Sequence, residues 1–527
     1  MTETLSKLSD DSANSDAKKV IKGAGISFFG TVTGRCLFFV SQVIIARCFS
    51  PEVFGLYILG QTVSNITALF ARLGLHSGAM RFVSIYRKDD IRRLKGVLLI
   101  SPLIPFLNGI LLGGLVYFFA DKIAVRIFQK QELTDIIKNF VPCIPFIAST
   151  AVIAMASRGF HTAKHSMYIN DIIQPVTNIS FLILFIKLGY GIFGVVLAFV
   201  LSCAMANFVG IFIISRRFSR IKTRDLKPIY EAKKLLNYSI PFLFNGFLVF
   251  TILWANTFML GYMKTFTDVA IYRAASQISV FLTLILTAFT SIYAPAVADL
   301  YHRGEMERLN NIFKTTTRWI FLLVLPAALI LIISAKEIMI IFGREYVEAG
   351  KDVLRILTIA QFVNCLTGGV AFTLTMTGRQ KTDMVNILGM ALINIALNYF
   401  LIPHYGSFGA AISTGVSIGI INLARLLEVY LIYKIHPYDL RYIQGVACGA
   451  ISLIILYALN KYILIEEYLL INNFLLNHIP LTRLVSNILV VVVIFVAGFI
   501  IKGIEEEDRL ILATITKKFK KMRVSRA

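Results

Sequence analysis

The chain has 527 residues, is 57% hydrophobic with a mean hydropathy of +0.73, and carries 53 Lys and Arg against 30 Asp and Glu, a formal charge of +23. So apolar a chain cannot cover itself with a solvated surface, which excludes a water-soluble globular protein. The charge would suggest nucleic acid in a soluble chain, but in a membrane protein the placement of the basic residues decides its meaning.

Fourteen apolar runs bounded by charges predict an all-α polytopic membrane protein. The first run is too long for a signal-peptide core, so we take it as an uncleaved span. The predicted spans are 25–47, 53–75, 97–119, 137–157, 169–187, 191–214, 239–260, 270–296, 317–335, 352–376, 383–403, 407–433, 442–460 and 481–501. With a cytoplasmic N-terminus, most of the 53 Lys and Arg residues fall on the inside. The positive-inside rule therefore predicts a cytoplasmic (inner) membrane protein with both termini in the cytoplasm.

The sequence repeats itself after 215 residues. YGIFGVVLAFVLS, Tyr190 to Ser202, recurs as YGSFGAAISTGVS, Tyr405 to Ser417. Because each repeat holds an even number of spans, two homologous six-helix bundles with a pseudo-two-fold axis along the membrane normal are expected, followed by two extra C-terminal helices. The predicted segments are a cytoplasmic N-terminal segment (1–24), an N-terminal lobe (25–215), a basic cytoplasmic linker (216–238), a C-terminal lobe (239–434), two additional helices (435–501) and a basic cytoplasmic tail (502–527).

Polar side chains form stripes on the first two helices of each lobe, at spacings that place them on one helical face. They are candidates to line a cavity between the lobes, and the structural alternative is bonding between neighbouring helices. Arg35 is the strongest candidate, because a mid-span arginine without an acidic partner in its own helix needs water or an anion. For Arg72 and Arg273, nearer span ends, snorkelling is an equal alternative. The candidate substrate-binding residues are Arg35, Gln42, Gln61, Asn65, Arg72, Asn245, Asn256 and Arg273.

Acidic residues are missing from the centres of the first eleven predicted spans, since Asp171, Asp352 and Asp383 fall near span ends. Exporters of cations usually need a buried carboxylate, so an interior of arginines and amides favours an anion such as pyrophosphate. Arg425 and Glu428, three residues apart, are expected to pair on the twelfth helix.

No chemistry-bearing motif stands out. There is no nucleophile with a base, no zinc spacing and no phosphate-binding glycine loop, so we predict no catalytic residue, metal site or cofactor. The basic linker and tail are expected to contact anionic membrane lipids rather than nucleic acid.

Several runs resemble one family of membrane transporters. They are ARCFSPEVFGLY from Ala46, RLGLHSGAMRFVSIY from Arg72, IFGREY from Ile341 and the two YGxFG sequences. The chain resembles the polysaccharide-biosynthesis flippases of the multidrug/oligosaccharidyl-lipid/polysaccharide exporter superfamily over its first twelve spans. Fourteen spans exceed the twelve-span minimum, as they do in lipid-II-type flippases.

The resemblance implies two six-helix bundles in a V shape that open alternately to each side of the membrane. It also implies that a polyprenyl-diphosphate-linked oligosaccharide moves from the inner to the outer leaflet for surface polysaccharide biosynthesis. A cationic central cavity is implied too, and Arg35, Arg72 and Arg273 are assigned to it. The glycan polymerase and assembly proteins of the pathway become candidate partners.

Two other functions compete with the flippase. A cation-coupled multidrug exporter of the same superfamily would be expected to carry a central carboxylate, which the sequence lacks. An intramembrane polymerase of the same pathway would need catalytic residues in a sizeable outer loop, and the loops at 129–135 and 466–480 show none. We therefore predict a flippase that is not an enzyme.

Overall fold

The chain folds almost entirely into helix. The computed structural model describes residues 28–160, 163–219, 227–469 and 479–502, and within these ranges there is no strand. Nine of the described helices are long and apolar enough to cross a membrane, or up to eleven if each of two bent pairs is one span. The predicted all-α polytopic membrane fold is confirmed.

The first group of helices runs from α1 to α9. Its members are α1 (Phe28–Cys48), α2 (Pro51–Ala71), α3 (Leu75–Asp89), α4 (Ile91–Lys122), α5 (Leu133–Phe140), α6 (Cys143–Gly159), α7 (Ala163–Met167), α8 (Gln174–Lys187) and α9 (Gly191–Ser219). Two π-helical turns, Ile123–Ile127 and Tyr168–Ile173, follow α4 and precede α8. In this group α2 packs on α4, α5 and α6, and α9 packs on α6 and α8.

The second group runs from α10 to α17, and two further helices follow it. They are α10 (Ala232–Met263), α11 (Phe266–Ser279), α12 (Leu282–His302), α13 (Met306–Ile333), α14 (Ala335–Met339), α15 (Val347–Leu366), α16 (Val370–Met376), α17 (Gln380–Tyr433), α18 (Tyr442–Leu469) and α19 (Ile479–Lys502). Here α17 packs on α10, α15 and α16, whereas α18 and α19 pack on each other and on α13. The predicted N-terminal segment, the tail beyond Lys502 and the side chain of Asn245 lie outside the described residues.

Helix α17 is longer than any single membrane crossing. Its 54 residues contain a non-helical position, Gly406, and at 1.5 Å per residue it would extend about 80 Å, against about 30 Å of hydrocarbon. We therefore divide it into two spans at Gly406. Shorter apolar helices cover Gly445–Leu459 and Thr482–Gly498. The total of fourteen spans stays a prediction.

The same backbone break occurs at both copies of the YGxFG sequence. Gly191 has φ 56° and Gly406 has φ 55°, a left-handed conformation that side chains other than glycine adopt only with strain. At Gly406 the break is also capped, because the backbone N–H of Ser407 donates to Asp268 Oδ1 at 3.1 Å. The sequence repeat therefore coincides with a repeated turn.

One predicted pair is wrong. Arg425 does not pair with Glu428 but forms an ion pair of 2.7 Å with Asp383, in the other half of α17, and Glu428 accepts a hydrogen bond of 2.7 Å from Asn386. Both pairs are formed because the break in α17 folds its two halves against each other. Partners across that break are nearer than partners along one helix.

We expect Gly406→Ala to destabilise the protein more than Gly191→Ala. Each change costs about 1–2 kcal/mol for the left-handed backbone. At Gly406 a Cβ would also lie 2.5 Å from Asp268 Oδ1, whereas at Gly191 it meets no atom within 4 Å. Thermal unfolding in detergent should show the larger fall in apparent melting temperature for Gly406→Ala. Equal falls would mean that the Asp268 cap contributes nothing.

Candidate functional site

The molecule has two distinct ends. We call the end that holds the α2–α3, α12–α13 and α16–α17 connections and residues 227–231 the basic side. The end that holds the α1–α2 and α10–α11 turns, residues 128–132 and residues 340–346 is the opposite side. The two groups of helices meet differently at these two ends.

On the opposite side the two groups are packed tightly together. A Cβ on Gly55 of α2 would lie 1.8 Å from the carbonyl oxygen of Phe266 at the start of α11, so the two backbones touch. Beside this contact the rings of Phe54 and Tyr346 pack edge to face, with centroids 6.3 Å apart. Because only glycine allows so close an approach, Gly55 sets the distance between the groups here.

Two cations add hydrogen bonds across the same end. Arg47, near the end of α1, donates from Nε to the carbonyl of Ile341 and from Nη2 to that of Ile340, both at 2.7 Å. Lys130 donates to the carbonyl of Lys264, and its ammonium lies 4.2 Å from the Phe266 ring centroid. Charge-assisted bonds of this kind are stronger than neutral ones. The opposite side is therefore closed by packing and by hydrogen bonds.

Toward the basic side, the first and second groups meet through α10. Helix α10 packs on α2 and α3 along its length, and a Cβ on Gly74 would lie 2.0 Å from the Ser239 carbonyl oxygen. Near this end Tyr86 donates a hydrogen bond of 2.5 Å to Glu231, which lowers the pKa of that carboxyl. Helix α11 packs on α2, but after the break at Val280 helix α12 packs on α13, α15 and α16.

Beneath the closed end lies a set of polar side chains, which we call the polar layer: the buried Gln42 and Gln61 and the half-buried Arg273 and Gln277. Gln42 and Gln61 are only 1% and 2% exposed. Both leave Oε1 without a hydrogen-bond partner, as Arg273 leaves Nε and Gln277 leaves both amide atoms. Counted along their helices, the four lie about 8–17 Å below the closing contacts. Buried polar groups are normally paired, so this layer requires water or a ligand.

Two contacts show that the helices carrying the polar layer lie next to one another at this level. Phe39 lies about one turn from Gln42, and Phe281 lies about one turn from Gln277, in both cases toward the basic side. The rings of Phe39 and Phe281 are in contact, with centroids 5.5 Å apart. Tyr57, one turn before Gln61, lies close enough to Arg273 to interact with it electrostatically. Helices α1, α2 and α11 therefore present the layer within about two helical turns of one another.

Arg273 is the charged member of the layer. Its guanidinium carbon lies 4.4 Å from the centroid of the Trp254 ring, and no carboxylate of the described residues lies within 4.0 Å of it. A cation stacked on a ring keeps the edges of its guanidinium available for an anion. Trp254, Tyr57 and Gln277 were not among the predicted residues. Gln277 lies one turn after Arg273, and that spacing was a signal for it.

Arg35 lies apart from the polar layer, farther along α1 toward the basic side, and its side chain is exposed. Close by, Thr31 Oγ1 donates to Asp171 Oδ2 at 3.4 Å, and Gly34 brings α1 against Asp171, where a Cβ would lie 2.6 Å from the Asp171 Cβ. Arg35 and Arg158 interact electrostatically with that carboxylate. Sequence reasoning placed Asp171 near a span end and did not foresee that it faces α1.

The remaining candidates lie elsewhere. Arg72 and Asn65 continue the α2 stripe toward the basic side, where Arg72 Nε donates to the Ala68 carbonyl of its own helix at 3.3 Å. The Asn256 amide joins α10, α11 and α17: it donates to Tyr272 at 2.7 Å and accepts from Asn398 at 2.6 Å. This use of Asn256 is the structural alternative considered for such groups. Within the described residues no group of three or more His, Cys, Asp or Glu side chains is placed to hold a metal.

Comparison with known proteins decides the family. The profile described as "Polysaccharide biosynthesis protein" matches residues 20–300, more than half of the chain. The chain belongs to this polysaccharide biosynthesis protein family. A second profile, MatE, matches residues 241–400.

Relatives of this family member are found among transporters. It is 22% identical over 410 residues, 75% of the chain and 80% of the relative, to the "Probable low-salt glycan biosynthesis flippase Agl15" of Haloferax volcanii. It is 24% identical over 427 residues, 78% of the chain and 97% of the relative, to the "Putative O-antigen transporter" of Shigella flexneri. Its fold is similar to that of the lipid II flippase MurJ in an inward closed conformation, with a TM-score of 0.67 at 18% identity over 91% of the chain and 98% of MurJ.

In this family member, closure of the opposite side is expected to depend on Gly55. Gly55→Leu must push α2 away from the Phe266 carbonyl, so the two groups should separate at this end. We would place spin labels in a cysteine-free background at the exposed positions Gln131 and Glu345, one on each group, and measure their distance distribution. The variant should shift the distribution to longer distances. The matched control is Gly114→Leu, where a Cβ meets no atom within 4 Å, and an unchanged distribution in Gly55→Leu would contradict the expectation.

Proposed function

We propose that the protein is a flippase that moves a polyprenyl-diphosphate-linked oligosaccharide across the membrane for surface polysaccharide biosynthesis, and that it is not an enzyme. Membership of the polysaccharide biosynthesis protein family and the two relatives named as a flippase and an O-antigen transporter support the pathway. The single observation that carries the substrate class is Arg273, a half-buried cation on Trp254 whose Nε is buried without a hydrogen-bond partner.

An unpaired cation in the membrane favours an anionic cargo. Burying an arginine without a partner costs free energy, and a diphosphate entering the polar layer would recover part of that cost through bidentate contacts. The free Oε1 atoms of Gln42 and Gln61 would accept hydrogen bonds from sugar hydroxyls. The free Nε2 of Gln277 would donate to a phosphate or sugar oxygen. Arg35, exposed on α1 nearer the basic side, would meet the diphosphate first, and Arg273 would receive it deeper in the interface.

The direction of transport follows from the proposed orientation. The basic side faces the cytoplasm by the positive-inside rule, which also places both termini there and the protein in the cytoplasmic membrane. In the structure the opposite side is closed by Gly55, Arg47 and Lys130, which corresponds to a state that loads from the cytoplasm. Rocking of the two groups would then expose the head group outside, while the polyprenyl tail stays in lipid through a lateral gap.

A multidrug exporter is the second candidate function, and the MatE match over residues 241–400 favours it. The polar layer speaks against a cationic drug, because its charged member is Arg273 and it contains no carboxylate. A drug cation placed there would be repelled in a low dielectric. The two functions therefore predict opposite responses to loss of the Arg273 charge.

We expect Arg273→Gln, and likewise Arg35→Ala, to stop transport without loss of the protein from the membrane. Loss of a charged hydrogen-bond donor weakens binding by about 1.5–3 kcal/mol, or roughly 10- to 100-fold. Lipid extraction and mass spectrometry of a deletion strain that expresses each variant should show the complete polyprenyl-diphosphate-linked glycan accumulating in the inner leaflet.

The control is Arg303→Gln, an exposed residue at the end of α12 that pairs with Asp299, which should restore a normal pool. A normal pool and normal surface glycan in Arg273→Gln cells would contradict the anion site. If the deletion strain itself has a normal pool but altered drug susceptibility, the exporter replaces the flippase.

A further inference from the structure

The two added helices contact the element that closes the opposite side. Helix α14, only five residues long, ends at Met339, and the next two carbonyls, Ile340 and Ile341, are the acceptors of Arg47. A guanidinium suits this place because the last carbonyls of a helix carry partial negative charge. The closing bonds form only when α14 directs these carbonyls toward α1.

So short a helix does not hold its own position. A single turn is marginal without tertiary contacts, so its orientation comes from what packs around it. Helices α13 and α15 supply part of that packing, and α19 supplies the rest. Since α19 lies outside the sequence repeat, its contact is an addition to the two bundles.

The contact between α19 and α14 is polar, buried and specific. Arg483 Nε lies 3.6 Å from Glu337 Oε1, with side chains 18% and 9% exposed. One turn further, Asn487 Nδ2 donates to Ser334 Oγ at 3.0 Å, and Asn487 and Ser334 are 1% and 0% exposed. Arg483 therefore contacts Glu337 in the middle of α14, and Asn487 contacts Ser334, the residue just before α14.

The α18–α19 pair is itself anchored to the second group. A Cβ on Gly445 of α18 would lie 2.6 Å from the Phe321 ring of α13, and the Phe321 and Tyr442 rings lie 5.1 Å apart. Leu456 of α18 and Val491 of α19 are fully buried in a cluster with Leu329 of α13. The pair is therefore packed on the second group through α13.

We propose that α18 and α19 act as a brace that keeps the opposite side closed, with Glu337 and Arg483 as the positioning residues. Their ion pair holds α14 so that the carbonyls of Ile340 and Ile341 remain within reach of Arg47. When the pair is broken, α14 shifts, Arg47 loses its acceptors and the closed state is weakened. The brace concerns gating and does not depend on which cargo is carried.

The test measures gate opening and stability separately. Spin labels at positions 131 and 345 report the separation of the two groups on the opposite side, and thermal unfolding reports stability. The variants are Glu337→Gln, Arg483→Gln, the exchanged pair Glu337→Arg with Arg483→Glu, and Arg47→Gln as direct loss of the closing bonds. The matched control is Asp121→Asn, which breaks the Asp121–Lys138 pair on the same side without touching α14.

We expect Glu337→Gln and Arg483→Gln to raise the ratio of open to closed populations roughly tenfold, as Arg47→Gln does. The exchanged pair should return the distribution toward wild type, and Asp121→Asn should leave it unchanged. A distribution that stays closed in both single variants, with or without a fall in melting temperature, would overturn the brace. So would opening in Arg47→Gln alone, or an exchanged pair that folds but stays open.

Discussion

The backbone contact between Gly55 and Phe266 is the constraint on which the closed end depends. Lipid tails are as apolar as leucine, so helices associate in membranes through close packing rather than through hydrophobic expulsion. Where a glycine removes the side chain, helices approach closely enough for neighbouring groups to reach across. The ring contact of Phe54 with Tyr346 and the bonds of Arg47 and Lys130 all lie around this point.

The polar layer is a consequence of that closure. With the end closed above it, Arg273 is half-buried and its Nε is out of contact with water. A charge that enters these surroundings interacts with it more strongly than in water, because the local dielectric is lower. Stacking on Trp254 holds the guanidinium in place at little entropic cost. An anion therefore meets a cation that is already oriented. This preorganisation is the physical basis of the proposed selectivity for a diphosphate head group.

Sequence reasoning predicted the features that a single helix determines, which are its apolar length and the face on which its polar side chains lie. Apolar runs predicted the all-α membrane fold, and polar spacing selected Gln42, Gln61 and Arg273, which lie about 8–11 Å below the closing contacts along their helices. It did not predict relations between helices. The partner of Arg425 lies across the break in α17, and Asn256 serves the interior of the second group.

Asp171 shows a further limit of periodicity. It lies in the π-helical turn Tyr168–Ile173, which has a wider turn than an α-helix and rotates the following side chains away from their expected face. A count at 3.6 residues per turn could not place it beside α1. Whether Arg35, Arg72 and Arg273 bind the substrate stays a prediction, as does the division into repeated lobes.

The line along which α10 packs on α2 and α3 has the geometry of a hinge between the two groups of helices. Gly74, Gly78, Gly246 and Gly261 lie along it, and each removes a side chain that would interlock with a neighbour. A rotation of one group of helices about this line disturbs fewer contacts than a movement that pulls the two groups apart. Such a rotation would separate the contacts made by Gly55, Arg47 and Lys130 on the opposite side while α10 stays against α2 and α3.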